Sequence, residues 1–468
     1  MQLTSTAFLF FFLPLSLPLM LLAPKAHRRL SLSVLSILWY VLANLNHLFG
    51  IIHIVGLVAL TILFAYLPAP RSIKAAKFRS IFLIAVALLS FIGARVAVEY
   101  INTNYPYPTG LLLVTLGVVS YAMDHARGDV IRPRNPLELI GYLLFFPTLM
   151  VGPVLRSKQY FDLTEDLSFQ APLMTEGIRL YMLGYVKRLA AAAVLMRSLQ
   201  DLLRHSSIIF SPLIFLLLLV LSYLFFYFYI SGGADLARGV CAIYGIRLPR
   251  DRTHVLTSPT PDRMLYGTML SFHNYLLDYI HFPLYHKKEN GKQRLLSLLL
   301  IYCITILVFR TRAELLLLGL PILIFSLLCE FTPVRGLITA KHRWRWLLSP
   351  LSALLCSFFT LALLLPVPTD IFPLLAHAFT FQGHYPTHYI WGAIQDANYL
   401  GLLVALLCLL LPWGRLRNWL LRRSGARTRL CLSVCEITLL FASFVLTAIY
   451  FLPQFPSYAE YASSILRM

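Results

Sequence analysis

The stretch "YFYISGGADLARGVCAIYGIRLP" (Tyr227–Pro249) decides the fold class, because charged residues follow directly on a long apolar run. That run covers about residues 206–230, and roughly 20 apolar residues are enough for a helix to cross a bilayer. A carboxylate at membrane depth is costly and is usually paired within a helical bundle. Asp235 therefore indicates a polar centre enclosed by membrane helices, or a structural ion pair with Arg238 or Arg247.

The rest of the chain has the composition of a membrane protein. Of its 468 residues 59% are hydrophobic and only 13% are charged, whereas about a quarter of the residues in a soluble domain are charged. The sequence therefore predicts an all-α polytopic protein with a single integral membrane domain, residues 1–468. We divide it into N-terminal helices (1–109), a core (110–330) and C-terminal helices (331–468). About 11 spans are predicted, at residues 4–23, 30–46, 48–67, 80–97, 110–123, 206–230, 295–309, 313–329, 347–366, 397–413 and 430–451.

The positive charge of the chain lies between the apolar runs. The formal net charge of +20 comes from 40 Lys and Arg against 20 Asp and Glu. Short basic clusters such as "KAHRR" (Lys25–Arg29) follow the positive-inside rule of membrane proteins better than the pattern of a nucleic-acid-binding surface. We therefore expect an integral membrane protein with its N-terminus outside the cytoplasm and no nucleic acid partner.

Three segments do not look like simple spans. Residues 135–155 are broken by two prolines and a glycine, and residues 262–285 are half polar. Polar or irregular backbone at membrane depth requires surrounding protein or a water-filled cavity, so both indicate a buried funnel or tunnel. Residues 175–203 form an amphipathic pattern, typical of either a buried helix or a helix that lies flat at the headgroups.

Several motifs, read in order, resemble one membrane protein family. They are "SYAMDHARGD" (Ser120–Asp129), "YLLFFPTLMVGPVLRSKQYF" (Tyr142–Phe161), "GIRLYMLGYVKRL" (Gly177–Leu189), the opening stretch and "DYIHFPLY" (Asp278–Tyr285). In this succession the chain resembles the membrane-bound O-acyltransferase (MBOAT) family. Within it, the chain is most similar to the bacterial branch of alginate O-acetylases and teichoic acid D-alanyl transferases.

The resemblance implies a helical shell whose two funnels meet near an essential histidine. An acyl group from a cytoplasmic thioester, such as acetyl-CoA or an acyl carrier, would pass to a hydroxyl outside. A histidine suits this reaction because a neutral imidazole can take the hydroxyl proton near neutral pH. The expected partners are membrane lipid, an extracytoplasmic acetyltransferase, and an exported polysaccharide or cell-wall polymer. No bound cofactor and no metal site are expected.

The polar centre of the family pattern is altered in this chain. An ungapped comparison puts Phe309 in the position of the essential histidine, with Arg310 after it, and Met269 in the position of a second histidine. His273 lies one helical turn after Met269 and is the candidate catalytic base. The alternative is that His273 is a structural histidine, hydrogen-bonded in the core or at the membrane interface. Tyr229 also replaces a family aspartate.

Other charged residues are assigned either to the lining of the predicted tunnel or to the cytoplasmic side. Arg310 and Glu314 either lie near the polar centre of the protein or form an ordinary surface pair four residues apart on a helix. The residues predicted to line the tunnel or site are Asp235, Arg238, Asp278, Arg310 and Glu314. Those predicted to organise the cytoplasmic side are Asp124, Arg127 and Arg156.

Three functions remain open at this point. The first is an O-acyltransferase that moves an acetyl or similar small acyl group onto an exported polysaccharide or a partner enzyme. The second is a catalytically silent member of the same fold, acting as a scaffold, acyl conduit or lipid-binding partner. The third is a transporter, which the lack of internal repeats disfavours. A tunnel blocked at Phe309 and Arg310 would favour the second over the first.

Overall fold

The computed structural model describes residues 3–45, 48–68, 72–98, 109–130, 133, 135–150, 152–204, 212–250, 258, 260–284, 291–309, 314–331, 343–380 and 426–451. These residues form helices, turns and irregular links without a β-strand, which confirms the all-α class. Three of the described helices are long and apolar enough to cross a membrane, at Phe49–Tyr66, Lys74–Val96 and Pro212–Ile243. Shorter apolar helices accompany them, and the count of about 11 spans stays a prediction.

The described N-terminal residues contain four α-helices, and basic residues at the start of one of them contact the centre of the chain. The helices are α1 (Leu13–Leu22, after a π-helical turn at Phe8–Phe12), α2 (Arg28–Ala43), α3 (Leu48–Tyr66) and α4 (Ile73–Val96). At the start of α2, Arg28 donates from Nη1 to the Leu167 carbonyl at 2.7 Å, and Arg29 pairs with Glu138 at 3.3 Å. The basic cluster after α1 therefore fixes the N-terminal helices to the centre of the chain.

The central part begins with a helix that leads to a broken segment. Its helices are α5 (Leu111–Arg127), α6 (Pro136–Leu143) and α7 (Ser157–Glu165). Gly128 ends α5 in the left-handed conformation, with φ +80°, where its N–H reaches back to the carbonyls of the last turn. Asn135 caps α6 by accepting from the Leu137 N–H at 2.9 Å. Between Leu143 and Ser157 none of the described residues is in a regular helix, so the predicted break is confirmed for them.

Two antiparallel helical stretches form the middle of the molecule. One runs through α8 (Ala171–Val186), a π-helical segment (Lys187–Ala192) and α9 (Ala193–Arg204). The other is α10 (Pro212–Ile243). Most of the first stretch is buried and packs along α10. The buried alternative for the amphipathic pattern is therefore the observed one.

Paired glycines bring α8 and α10 into backbone contact. A Cβ on Gly184 would lie 2.6 Å from the Leu236 nitrogen, and one on Gly239 would lie 2.5 Å from the Tyr181 nitrogen. Gly177 faces Gly239 in the same way that Gly184 faces Gly232. The predicted span of residues 206–230 was therefore too short, because these glycines continue α10 to Ile243 instead of breaking it.

The C-terminal part packs around the other side of α10. The helix Arg343–Leu364 contacts α10, and the helix Ala426–Phe451 contacts α8. The elements are α11 (Pro261–Tyr266), α12 (Leu270–Leu276), a π-helical turn (Leu277–His281), α13 (Phe282–Leu284), α14 (Gly291–Phe309), α15 (Glu314–Leu318), α16 (Leu320–Phe331), α17 (Arg343–Leu364), α18 (Ile371–Thr380) and α19 (Ala426–Phe451).

Candidate functional site

Helix α10 separates a charged helix interface from an apolar cavity. Ile230 and Ala234, four residues apart and so on one face of the helix, line the cavity. One turn earlier on this face, the Phe226 ring lies 5.7 Å from the ring of Phe309. Gly232 and Gly239, on the opposite face, contact α8.

The apolar cavity is small and contains both positions that the sequence comparison singled out. Its volume is about 60 Å³, and Met269 and Phe309 both line it. A water needs about 10–15 Å³ of such space, so the cavity has room for about four or five atoms of that size. Neither side chain can act as a base. The other lining residues come from α5, from the broken segment and from α10, α12 and α14: Gly110, Leu112, Leu113, Leu116, Leu149, Met150, Gly152, Val154, Ile230, Ala234, Ser271, Phe272 and Val308.

Arg95 of α4, which the sequence analysis did not single out, holds the end of α14 beside this cavity. It is fully buried and donates from Nη2 to the Val308 carbonyl at 2.6 Å and from Nη1 to the Phe309 carbonyl at 3.2 Å. The last carbonyls of a helix have no partner within the helix and carry partial negative charge, so a guanidinium stabilises them. In the sequence, the one signal for Arg95 is a single cationic residue inside the predicted span of residues 80–97.

The polar residues after α14 are described only in part. Arg310 lies outside the described residues. Glu314 begins α15 with a half-buried side chain, and its Oε2 atom has no hydrogen bond within the described part of the chain. The predicted pairing of these two residues therefore stays a prediction.

His273 lies next to the cavity wall and is not one of the residues that line it. Its ring stacks on Tyr266 with centroids 4.3 Å apart, and Tyr266 in turn shares a 3.2 Å hydrogen bond with Thr305, one turn before Phe309. Among the described residues, the buried Nδ1 atom of His273 has no hydrogen-bond partner. Burial lowers the pKa of this imidazole, and the negative charge of Asp262 partly opposes that effect. The ring is therefore neutral near pH 7 and has a free nitrogen.

A second, larger cavity lies where α5 ends. Its volume is about 580 Å³, and its wall is highly charged. Leu116 of the apolar cavity and Asp124 of this one are eight residues apart on α5, or about 12 Å along the helix axis. Four residues predicted from the sequence meet here, together with other polar and aromatic residues: Asp124, Arg127, Arg156 and Asp278, with Asp129, Lys158, Gln159, Asp162, Tyr279 and Phe282.

Buried hydrogen bonds around Asp124 build the wall of this charged cavity. Its Oδ2 accepts from the Ser157 hydroxyl at 2.5 Å, and its Oδ1 accepts from the Tyr279 hydroxyl at 2.8 Å. Ser120, one turn earlier on α5, accepts from the Ser157 N–H at 2.8 Å. Because Ser157 starts α7 and Tyr279 lies in the π-helical turn, this one carboxylate connects three separate elements.

Arg156 and Arg127 line the same cavity and contact the π-helical turn. Arg156 forms an ion pair with the Asp278 carboxylate. Arg127 donates to the Asp278 carbonyl at 3.2 Å, and its guanidinium lies 5.4 Å from the centroid of the Tyr279 ring. Basic side chains therefore face this cavity in fixed positions.

Asp235 and Arg238 line neither of the two cavities. The Asp235 carboxylate is buried between α8 and α10, where Lys187 Nζ lies 2.6 Å from its Oδ2 and Arg238 Nη1 lies 3.7 Å from its Oδ1. Beside this pair, Arg188 stacks over Tyr229 at 4.5 Å and donates to its hydroxyl at 3.2 Å. Sequence analysis did not identify Lys187 as the partner of Asp235. The signal that could have found it is the glycine spacing, because both helices carry two glycines seven residues apart, and this shared spacing contains the register between the helices.

Comparisons with known proteins point to one family. The sequence profile of the membrane-bound O-acyltransferase family matches residues 125–326, which contain the broken segment, the α8–α10 pair, His273 and the described wall residues of the charged cavity except Asp124. The chain is 27% identical to the probable alginate O-acetylase AlgI of Azotobacter vinelandii over 309 residues, which is 61% of this chain and 60% of that protein.

Two further relatives agree with this assignment. The probable alginate O-acetylase AlgI of Pseudomonas aeruginosa is 27% identical over 309 residues, 61% of this chain and 57% of its own length. The teichoic acid D-alanyltransferase of Lacticaseibacillus rhamnosus is 32% identical over 80 residues, 16% of this chain and 20% of that protein. The chain thus matches less than two thirds of the length of these relatives. With its helical architecture, buried polar centre and matching motifs, this integral membrane protein is similar to the membrane-bound O-acyltransferase (MBOAT) family, whose profile matches its central residues 125–326.

Proposed function

We propose that this protein transfers a small acyl group, such as acetyl, from a cytoplasmic thioester to a hydroxyl of an exported polysaccharide or cell-wall polymer. The observation that carries the proposal is the pair of cavities along α5, a charged one of about 580 Å³ and an apolar one of about 60 Å³. A phosphate-bearing carrier suits the first cavity, and its acyl end suits the second. The proposed location is a bacterial inner membrane, which the chain crosses several times.

The charged cavity has the size and the chemistry for the donor's carrier. Pockets for small molecules and cofactors commonly have volumes of about 300–1,000 Å³. Arg127, Arg156 and Lys158 supply cationic donors, and phosphates bind strongly to such groups. Acetyl-CoA and an acyl carrier protein share the phosphopantetheine arm that this cavity would receive. The Asp124 network keeps α5, α7 and the π-helical turn in place around it.

His273 is the proposed catalytic base. The acceptor oxygen attacks the thioester carbonyl, a C–O bond forms, the C–S bond breaks, and the hydroxyl proton passes to the free ring nitrogen and then to the leaving thiolate. The neutral state and the free Nδ1 of His273 support this role. In the present arrangement its ring stacks on Tyr266 at 4.3 Å, so a rotation of the side chain toward the cavity precedes proton transfer.

A catalytically silent scaffold or acyl-binding partner in an envelope-modification complex is the second candidate. It is favoured by the apolar side chains of Met269 and Phe309, which line the cavity at positions where the family resemblance implies histidines. Such a protein would keep the fold and bind acyl carriers or lipid. An extracytoplasmic acetyltransferase would then perform the transfer.

An acyl-transfer assay in membranes separates the two candidates. The acetyl content of envelope glycan is measured for the wild type, for His273→Ala and for Phe309→His. Transfer by the wild type that His273→Ala abolishes would support the enzyme. A wild type without transfer in the presence of donor, acceptor and partner proteins would overturn it and favour the scaffold. His281→Ala is the matched control, because His281 already has a hydrogen bond of 2.7 Å to Ser297.

A further inference from the structure

The apolar cavity has the dimensions of a short acyl chain. Its space of about 60 Å³ holds about four or five atoms the size of a water molecule. An acetyl group has three heavy atoms and a propionyl group has four, whereas a hexanoyl group has seven. Well-packed interiors do not stretch to admit extra methylenes without strain, so longer chains do not fit unless a wall residue moves.

Two wall residues set this limit. Phe309 is almost fully buried, and its ring is braced by Phe226, with the two centroids 5.7 Å apart. On α10, Ala234 presents only a methyl group to the cavity, and any larger side chain there would occupy the space itself. One residue therefore limits the cavity by being large, and the other keeps it open by being small.

The backbone at Phe309 has little freedom to move aside. The buried Arg95 guanidinium binds the carbonyls of Val308 and Phe309, at 2.6 Å and 3.2 Å. Charge-assisted hydrogen bonds of this kind are roughly twice as strong as neutral ones. Arg95 thus acts as a positioning residue that fixes the depth of the cavity.

We propose that Phe309 and Ala234 determine the acyl specificity of this protein, admitting groups of two to four carbons and excluding hexanoyl and longer ones. This inference rests on the proposed function only in that the acyl group arrives as a thioester. It names a specificity determinant at the position where a catalytic histidine would otherwise be expected. Size selection is independent of proton transfer, so it applies to an active enzyme and to a silent acyl-binding protein alike.

Binding of S-acyl pantetheines to the purified full-length protein tests the inference without requiring turnover. Acetyl, propionyl, butyryl, hexanoyl and octanoyl thioesters are titrated into detergent-solubilised wild type, and the dissociation constants are measured by calorimetry. The wild type should bind the acetyl, propionyl and butyryl compounds best, with at least about a tenfold loss by hexanoyl, since overpacking by one or two methylenes costs about that much.

Two opposite substitutions then shift the optimum. Phe309→Ala should move the preferred chain to hexanoyl or octanoyl, and Ala234→Val should restrict binding to acetyl. Phe228→Ala is the matched control, because Phe228 is an equally buried aromatic residue on α10 that does not line the cavity. Its optimum should equal that of the wild type.

The results of this binding experiment are distinguishable from those of the acyl-transfer assay. Equal affinity for all chain lengths, an optimum that neither substitution moves, or no binding of any thioester would each overturn the inference. A chain-length optimum that moves as expected, in a protein that transfers no acyl group, would leave the inference standing and remove the proposed activity. If Phe309→Ala does not fold, the opposite shift in Ala234→Val still decides the question.

Discussion

Replacing Asp235 with asparagine should destabilise the protein strongly while changing its shape very little. The carboxylate lies 2.6 Å from Lys187 Nζ and 3.7 Å from Arg238 Nη1, and only 2% of its side-chain surface is exposed. Asparagine keeps the volume but removes the charge that balances both cations. Breaking a buried pair by removing one partner typically costs about 3–5 kcal/mol, because the remaining charge is left without compensation. We expect a loss of about that size in the free energy of unfolding.

Equilibrium unfolding in detergent micelles, followed by circular dichroism and repeated with refolding, measures this loss. A double variant, Lys187→Met with Asp235→Leu, completes the comparison. Replacing both members of a buried pair by apolar residues is often neutral or stabilising. The double variant takes the carboxylate from Arg238 alone, whereas Asp235→Asn takes it from both cations, so the double variant should be more stable than Asp235→Asn.

A less buried ion pair supplies the control. Arg29 and Glu138 are 3.3 Å apart with 23% and 17% of their side-chain surfaces exposed. Glu138→Gln should cost only about 1 kcal/mol or less, since pairs near solvent contribute little. If Asp235→Asn cost no more than Glu138→Gln, or if the double variant were less stable than Asp235→Asn, the argument for a charge-compensating buried pair would be refuted.

Three further predictions test the packing, the helix cap and the titrating group. Gly239→Ala should lower the free energy of unfolding by about 1–3 kcal/mol, because the new Cβ would lie 2.5 Å from the Tyr181 backbone nitrogen. Gly93→Ala is the control and should be neutral, because a Cβ at Gly93 would meet open space. Arg95→Met should lower the free energy of unfolding by at least about 2 kcal/mol, because the hydrogen bonds to the carbonyls of Val308 and Phe309 are lost. The shift in the unfolding midpoint measures this loss, and Arg95→Lys should recover part of it. For His273, burial places the folded-state pKa below the ordinary 6.5, so the unfolded chain binds the proton first and stability should fall as pH drops below 6.5. His273→Gln should remove that part of the pH dependence, and a stability curve of the variant parallel to that of the wild type between pH 7 and pH 5 would contradict the assignment.

The sequence predicts local features of this molecule better than its long-range pairings. The all-α class follows from apolar runs, and the break after Leu143 follows from prolines and glycines, which act within a few residues. Asp124, Arg127, Arg156 and Asp278 were assigned from motifs, and the structure brings them to one cavity. The contacts that depend on a register between distant helices were not predicted. Lys187 and Asp235 are 48 residues apart, and Arg95 and Phe309 are 214 apart.

The length of α10 illustrates the physical reason why such contacts were not predicted. Two adjacent glycines in an apolar run suggest the end of a helix, because glycine has a low helix propensity. In the folded protein the absent side chains instead let α8 approach, and the contact offsets that propensity. The same contact sets the register that places Lys187 against Asp235. No property of either segment alone contains this information, because it arises only when the two helices pack.

Position 309 finally distinguishes the enzyme from the scaffold. An imidazole introduced by Phe309→His would line the apolar cavity, with its backbone fixed by Arg95 and with Met269 and Ala234 as neighbours in the wall. A scaffold that lost only its base should gain acyl transfer from this one change, measured as acetyl released from envelope glycan. An enzyme that relies on His273 should instead lose activity, because a polar ring enters the space where the acyl methyl group packs. A gain of transfer that persists in the double variant with His273→Ala would rule out His273 as the base.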